Sequence, residues 1–181
     1  MAAGVAAVAV ASVLWMLRPQ PVMELPRDQL VLQATPQGEA LCLAANPEVI
    51  FTGWMTESYP GGGKKSRSRV VDGRLHGLSE GWHPEGGLAV QEHFQAGVAE
   101  GPVTKWHSNG AKRSEGAAHV GKLEGVFRRW HGNGVLSEEI TMRGGQPHGT
   151  ARSWDESGNL KKEVMMEGGQ LVRRAEMKDS R

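Results

Sequence analysis

Seven histidines and a periodic set of carboxylates are the residues of this chain with chemistry to offer. His83, His107 and His131 stand 24 residues apart, each directly after a tryptophan. Imidazoles can ligate a metal or carry protons. Glu115, Glu139 and Glu163 keep the same period, with Gln91 in phase before them, and paired carboxylates can cleave a glycosidic bond. Spacing argues against both chemistries. If each period holds two adjacent strands, equivalent side chains lie about 10 Å apart, twice the usual strand separation. One metal needs donors at about 2 Å from a single centre, and a glycosidase needs its two carboxylates about 5 to 9.5 Å apart in a cleft. The three histidines are therefore expected on a solvated face opposite the tryptophans, because adjacent strand residues point to opposite faces. The glutamates are expected to solubilise the outer face. His76 and His148 share a phase with Glu100 and Glu124, which suggests a tolerant turn position.

Two basic features complete the search. Gly61-Gly62-Gly63-Lys64-Lys65 resembles part of a phosphate loop, but it lacks the leading glycine at the right spacing and a following helix. It reads as a turn. Lys64, Lys65, Arg67, Arg69 and Arg74 form the densest positive stretch. Alternation places Lys65, Arg67 and Arg69 on one face, opposite Lys64, Ser66 and Ser68. This candidate basic patch suits phospholipid headgroups, nucleic acid or an acidic partner, or else protects an exposed edge hairpin by charge. No catalytic residue, metal site or cofactor is expected.

The elements that position these residues follow from the period. Trp82, Trp106, Trp130 and Trp154 recur every 24 residues. Gly73, Gly97, Gly121, Gly145 and Gly169 hold a second phase, Gly53, Gly77, Gly101, Gly125 and Gly149 a third, and Gly62, Gly86, Gly110, Gly134 and Gly158 a fourth. Such a fixed period marks a repeat array. Copies run over residues 49–72, 73–96, 97–120, 121–144 and 145–168, the first degenerate, with Tyr59 one place out of phase with the tryptophans. In the fourth copy, Val126 to Trp130 is too short for a helix and is followed by Asn133-Gly134, so it reads as a strand entering a hairpin. In the return segment, Leu136, Ile140 and Met142 alternate with Ser137, Glu139 and Thr141, the period of a half-buried strand. Asn109-Gly110 and Asn133-Gly134 are signals for type I′ turns, and pairs such as Gly144-Gly145 turn the chain into the next hairpin.

The fold class is all-β: a repetitive antiparallel hairpin meander forming an extended twisted sheet, preceded by an N-terminal apolar helix. Trp82, Trp106, Trp130 and Trp154 should form one row, as core or as a binding face, with return-strand residues such as Leu88, Val90, Phe94, Leu136, Ile140 and Met142 between them. The glycines beside the strand starts are expected to leave room for an aromatic ring over the backbone. Residues 97–120 should be the least well packed, because Lys112, Ser114, Gly116 and Ala118 replace the apolar return residues.

Composition bounds the rest. The 25 glycines reflect repeated turns, since collagen would need one in three. With 21 basic against 20 acidic residues the net charge is +1, which gives no general drive toward nucleic acid, and none is expected as a partner. The lone Cys42 excludes an intramolecular disulfide framework. Residues 2–17 carry no charge and would span about 24 Å as a helix, short of a ~30 Å hydrocarbon core. Residues 1–18 therefore read as an export signal or a short membrane anchor, which places the protein in the cell envelope. The alternatives are an alanine-rich helix on a soluble, cytoplasmic domain or a missing upstream start. Residues 19–48, rich in proline, read as a linker whose apolar runs at Leu30 to Leu32 and Ala40 to Ala44 can pair as a capping hairpin. The repeat array covers residues 49–169, and residues 170–181 read as a charged tail.

Leu75-His76-Gly77 with Trp82, Asn109-Gly110-Ala111-Lys112, Leu123-Glu124-Gly125 with Trp130 and Asn133-Gly134, and Phe51-Thr52-Gly53-Trp54 with Tyr59-Pro60 form a pattern that resembles the bacterial variant of the MORN repeat. Within that group the chain looks like the YwqK family, commonly labelled an antitoxin family. The resemblance implies a non-catalytic hairpin array that binds another protein, a toxin or an envelope component, and it brings no functional residues to carry over. Related repeats have been linked to membranes and to protein assembly. The sequence thus points to a protein-interaction scaffold with a membrane contact through residues 2–17. The alternative is a protein that binds membrane lipid or an envelope polymer.

Overall fold

The computed structural model describes residues 22–174. The apolar helix expected over residues 2–17 and the tail beyond residue 174 lie outside it. Among the described residues, no helix is long and apolar enough to cross a membrane. The described residues open with β1 (Glu24–Pro26) and one 3-10 turn, Arg27–Gln29. Next come β2 (Leu30–Thr35), β3 (Gly38–Leu43) and β4 (Asn46–Ile50). Five hairpins follow: β5 (Gly53–Ser58) with β6 (Lys64–Val71), β7 (Arg74–Trp82) with β8 (Leu88–Gln95), β9 (Val98–Trp106) with β10 (Lys112–His119), β11 (Lys122–Trp130) with β12 (Leu136–Arg143), and β13 (Gln146–Trp154) with β14 (Leu160–Glu167). A last strand, β15 (Gln170–Arg174), pairs with β14 where the sequence placed the start of a tail. β5 to β15 form a meander in chain order, β1 joins β5 in parallel to make a sheet of 12 strands, and β2 to β4 make a separate sheet of 3.

Two kinds of turn close the hairpins, and their chemistry is the reverse of the expectation. The type I′ geometry, with two successive residues at positive φ, lies between repeats: Asp72 and Gly73 at 48° and 73°, Val120 and Gly121 at 48° and 75°, Gly144 and Gly145 at 57° and 83°. At Asn109-Gly110 and Asn133-Gly134 the glycine alone is left-handed, at 83° and 85°. There Gly110 N–H donates to His107 O at 2.9 Å and His107 N–H to Ala111 O at 2.8 Å, closing a three-residue loop that ends in a left-handed glycine. The asparagine is used for its side chain: Asn109 Oδ1 accepts the Ala111 N–H at 3.0 Å.

The glycines inside β7, β9, β11 and β13 also serve the backbone. Gly77, Gly101, Gly125 and Gly149 have φ of 82°, 103°, 76° and 83°. They lie where the register against the preceding strand slips, as between Glu115/Ala117 of β10. They are bulge glycines. The aromatic ring expected over them is absent: the nearest side-chain atoms to a Cβ at Gly77, Gly101 and Gly149 belong to Arg69, His93 and Thr141, and the space at Gly125 is open. A ring instead covers Gly116, where an added Cβ would lie 2.8 Å from Phe127 Cδ2.

That contact also corrects the expectation of a loosely packed third repeat. Ser114 and Ala118 are each only 7% exposed. Their small side chains, with Gly116, make room for bulk from the neighbouring strand. The compact core sits at the start of the array, where Leu30 and Leu41 of the small sheet pack on Phe51 and Val70, joined by Leu43, Met55 and Leu75. Leu41 N–H donates to Gly73 O at 2.8 Å, so β3 is tied to the first inter-repeat turn. From β8 onward, only Ser114, Ala118 and Val164 are buried among the described residues. A second sheet packed over the array would bury one face of every strand.

Candidate functional site

The tryptophans stand at the strand ends next to the longer loops, each half-buried. Trp82 registers with Leu88, Trp106 with Lys112, Trp130 with Leu136 and Trp154 with Leu160. Strand order therefore makes the row alternate tryptophan with an aliphatic stem. Where the stem is lysine, its ammonium caps the next indole: Lys64 Nζ lies 4.7 Å from the centre of Trp82 and Lys112 Nζ 5.2 Å from that of Trp130. A ring face covered in this way is closed to a stacking ligand. The other return-strand residues expected between the indoles are elsewhere. Ile140 registers with Phe127 and Met142 with Gly125, while a slip between Arg129/Trp130 brings Leu136 alone to Trp130. A one-residue slip reverses the face on which a side chain points.

The tryptophan face carries a polar ladder at its centre. Arg67, Glu80, Gln91, Thr104, Glu115, Arg128, Glu139, Arg152 and Glu163 are in mutual register across nine strands. From Glu115 onward the charges alternate: Arg128 meets Glu115 at 3.7 Å and Glu139 at 2.8 Å, and Arg152 meets Glu139 at 3.9 Å and Glu163 at 2.6 Å. The Glu163 carboxylate, which accepts the Arg152 hydrogen bond, holds that guanidinium above its ordinary pKa. Lys112 Nζ contacts Glu115 at 2.6 Å, so the ladder and the tryptophan row share a face. The glutamates expected to solubilise the surface are thus cross-strand partners of arginines that keep the same period.

The histidines have a structural task that the sequence concealed. Each Nε2 donates to the carbonyl of the next tryptophan: His83 to Trp106 at 3.0 Å, His107 to Trp130 at 3.0 Å and His131 to Trp154 at 2.9 Å. A carbonyl can only accept, so Nε2 carries the hydrogen. Tyr59 does the same with its hydroxyl, donating to Trp82 O at 2.7 Å. It is in phase with the histidines, one place from the tryptophans, and that phase was the available signal. Asn109 and Asn133 add a second tie, donating to Gly132 O at 2.8 Å and Glu156 O at 2.9 Å.

At the opposite rim, the position shared by His76, Glu100 and Glu124 caps the inter-repeat turns. Glu100 accepts the Val120 N–H at 2.9 Å and Glu124 the Gly144 N–H at 2.7 Å, while Thr52 accepts that of Asp72 at 2.9 Å. His119 Nδ1 also meets Glu100 at 2.8 Å. The Val120 backbone hydrogen bond, then His119, hold Glu100 below the usual carboxylate range, and the hydrogen bond to Glu100 raises the pKa of His119.

The five basic residues are each engaged. Lys64 lies over Trp82 and Lys65 pairs with Glu57 at 3.1 Å. Arg67 pairs with Glu24 at 3.0 Å and stacks over Trp54 at 4.1 Å. Arg69 donates to Gly53 O at 2.9 Å, and Arg74 donates to the Gln37 carbonyl. The slip between Glu57/Ser58 brings Lys64 to the tryptophan face. Among the described residues, no three metal-ligating side chains come together.

Residues 123–143 and 147–167 match the family described as the MORN repeat variant. No curated protein matches the chain. The two matched stretches coincide with the hairpins β11–β12 and β13–β14, one period apart. Over these hairpins the chain is similar to MORN repeats of the variant type, and the hairpins before them share the period, the turns and the inter-repeat bonds.

Proposed function

We propose that this chain is a non-catalytic protein-interaction scaffold that works through its tryptophan face and is held near or beyond a membrane by residues 2–17. The observation that supports this reading is the open sheet: from β8 to β15 only three described residues are buried, and among the described residues no three metal-ligating side chains come together. A toxin partner, implied by the antitoxin resemblance, is the finer form of the proposal. Two half-exposed apolar residues stand on the tryptophan face, Val126 at 44% and Leu160 at 40% exposure, and repeat arrays offer such extended faces as binding surfaces.

The test is crosslinking and capture from the native cell with the full chain and with a variant carrying Val126→Glu and Leu160→Glu. A partner protein that the variant loses, while its melting temperature is unchanged, supports the reading. A partner retained by the variant removes the tryptophan face from the interaction. Salt-sensitive cosedimentation with liposomes or cell wall, without a captured protein, replaces the partner protein with a lipid or polymer surface.

A further inference from the structure

The two ends of the array are finished differently. At the start, β1 pairs with β5 from Glu24↔Trp54 to Pro26↔Thr56, and Trp54 N–H donates to Met23 O at 2.7 Å. The small sheet covers the adjoining face, where Phe51 is 1% and Val70 0% exposed. At the other end β15 pairs with β14 on one side, and among the described residues nothing pairs with its other side. Leu171 and Val172 are 50% and 60% exposed. An unpaired strand edge presents a row of free N–H and C=O groups that can template a further strand.

Charge indicates what kind of strand fits. β15 reads Gln-Leu-Val-Arg-Arg, with no acid. Arg173 forms no ion pair among the described residues and borders an open depression of about 240 Å³ with Thr150, Glu163 and Met165. Glu163 is already held by Arg152 at 2.6 Å. Lys162, on the neighbouring strand, likewise has no ion pair among the described residues.

We propose that the outer edge of β15 accepts an extended acidic segment of a partner protein as an antiparallel strand. This inference rests on the interaction-scaffold reading and names the chemistry of the partner. The array already contains such a strand: β12 reads Leu-Ser-Glu-Glu-Ile-Thr-Met-Arg, and it meets β11 with Glu138 and Glu139 against Arg129 and Arg128 and with Ile140 against Phe127. An incoming strand of that kind sets a carboxylate near Arg173 and an aliphatic residue near Leu171. A second copy fits less well, because two β15 strands centred on Arg173 would place like charges opposite each other.

The experiment titrates the full chain with a fluorescent peptide of the β12 sequence and reads anisotropy. Three parallel arms use the peptide N-methylated at alternate amides, the peptide with both glutamates changed to lysine, and the chain carrying Arg173→Glu. Saturable binding is expected for the parent peptide, lost on N-methylation and weakened about tenfold by either charge reversal, as for an exposed pair turned from attraction to repulsion. Arg173→Ala, which removes the charge without reversing it, serves as a second variant if Arg173→Glu does not fold. No binding, or equal binding by the N-methylated peptide, overturns the proposal. So does self-association in sedimentation that excludes the peptide, which assigns the edge to a second copy. The two readings fail separately. Cellular capture kept by Arg173→Glu but lost with Val126→Glu and Leu160→Glu leaves the scaffold standing and removes this edge.

Discussion

Replacing His107 by phenylalanine and, separately, by tyrosine tests whether the histidine column is what ties one repeat to the next. His107 is half-buried, and its Nε2 donates to Trp130 O at 3.0 Å. Phenylalanine keeps a ring of similar size and removes the donor. An average hydrogen bond contributes about 0.5 to 1.5 kcal/mol net, and an unpartnered, partly buried acceptor pushes the loss toward the upper end, so His107→Phe should cost about 1 kcal/mol. For a chain of this size that is about 2 to 4 °C in melting temperature. Tyrosine restores a donor, and the array contains the precedent, since the Tyr59 hydroxyl reaches Trp82 O at 2.7 Å from the same phase. His107→Tyr should therefore stay within about 0.5 kcal/mol of the parent, the range of a substitution that removes no interaction. The assay is urea unfolding of the three proteins followed by circular dichroism, with equal slopes required before the midpoints are compared. Equal stability of His107→Phe and the parent would show that the bond contributes nothing. Equal destabilisation by phenylalanine and tyrosine would show that the imidazole acts through something other than this donor.

Three further outcomes follow from other parts of the fold. Val120, 65% exposed, is β-branched yet sits at φ 48° where the next repeat has Gly144, so Val120→Asn should raise stability by about 1 kcal/mol in the same unfolding assay. Gly125→Ala meets no neighbouring atom but must hold φ at 76°, so its cost of about 1 to 2 kcal/mol is purely conformational and a crystal structure of the variant should show unchanged packing. His119 should titrate above its ordinary 6.5 in an NMR experiment and return toward it in Glu100→Gln. With His119 raised and Glu100 lowered from 4.5, their mutual support is present between the two midpoints; it fades as pH rises through the histidine and as pH falls through the carboxylate. Glu100→Gln should accordingly narrow the difference in melting temperature between pH 6 and pH 9, values chosen to lie about either side of the histidine transition.

Much of the fold could be read from residue types alone, because a period of 24 in tryptophan and glycine leaves a two-stranded unit as the simplest solution. The strands, their order and the tryptophan row all follow from that count. The polar contacts did not, and the reason is register. Whether Glu139 faces water or Arg128 depends on which residue of β11 lies opposite, and that is set by the slip beside Trp130. The asparagine-glycine pairs show the same limit. Asn133-Gly134 marks a turn at any level of analysis, but the bond from Val135 N–H to Asn133 Oδ1 at 3.0 Å and the reach of Asn133 Nδ2 to Glu156 O select a loop with one left-handed residue.

The sequence by itself determined that this protein is an array of antiparallel hairpins with a single tryptophan row, since a local repeat of turn residues and alternating strands has few other ways to fold. Tertiary structure decided what the remaining side chains are for. Histidines expected on a solvated face are committed to the carbonyls of the next repeat, and glutamates that keep the same period are committed to arginines. It also decided where the array is closed, by β1 and the small sheet, and where, among the described residues, its edge is open, at β15. Those outcomes depend on contacts between residues on different strands, which strand registration sets and residue type alone does not.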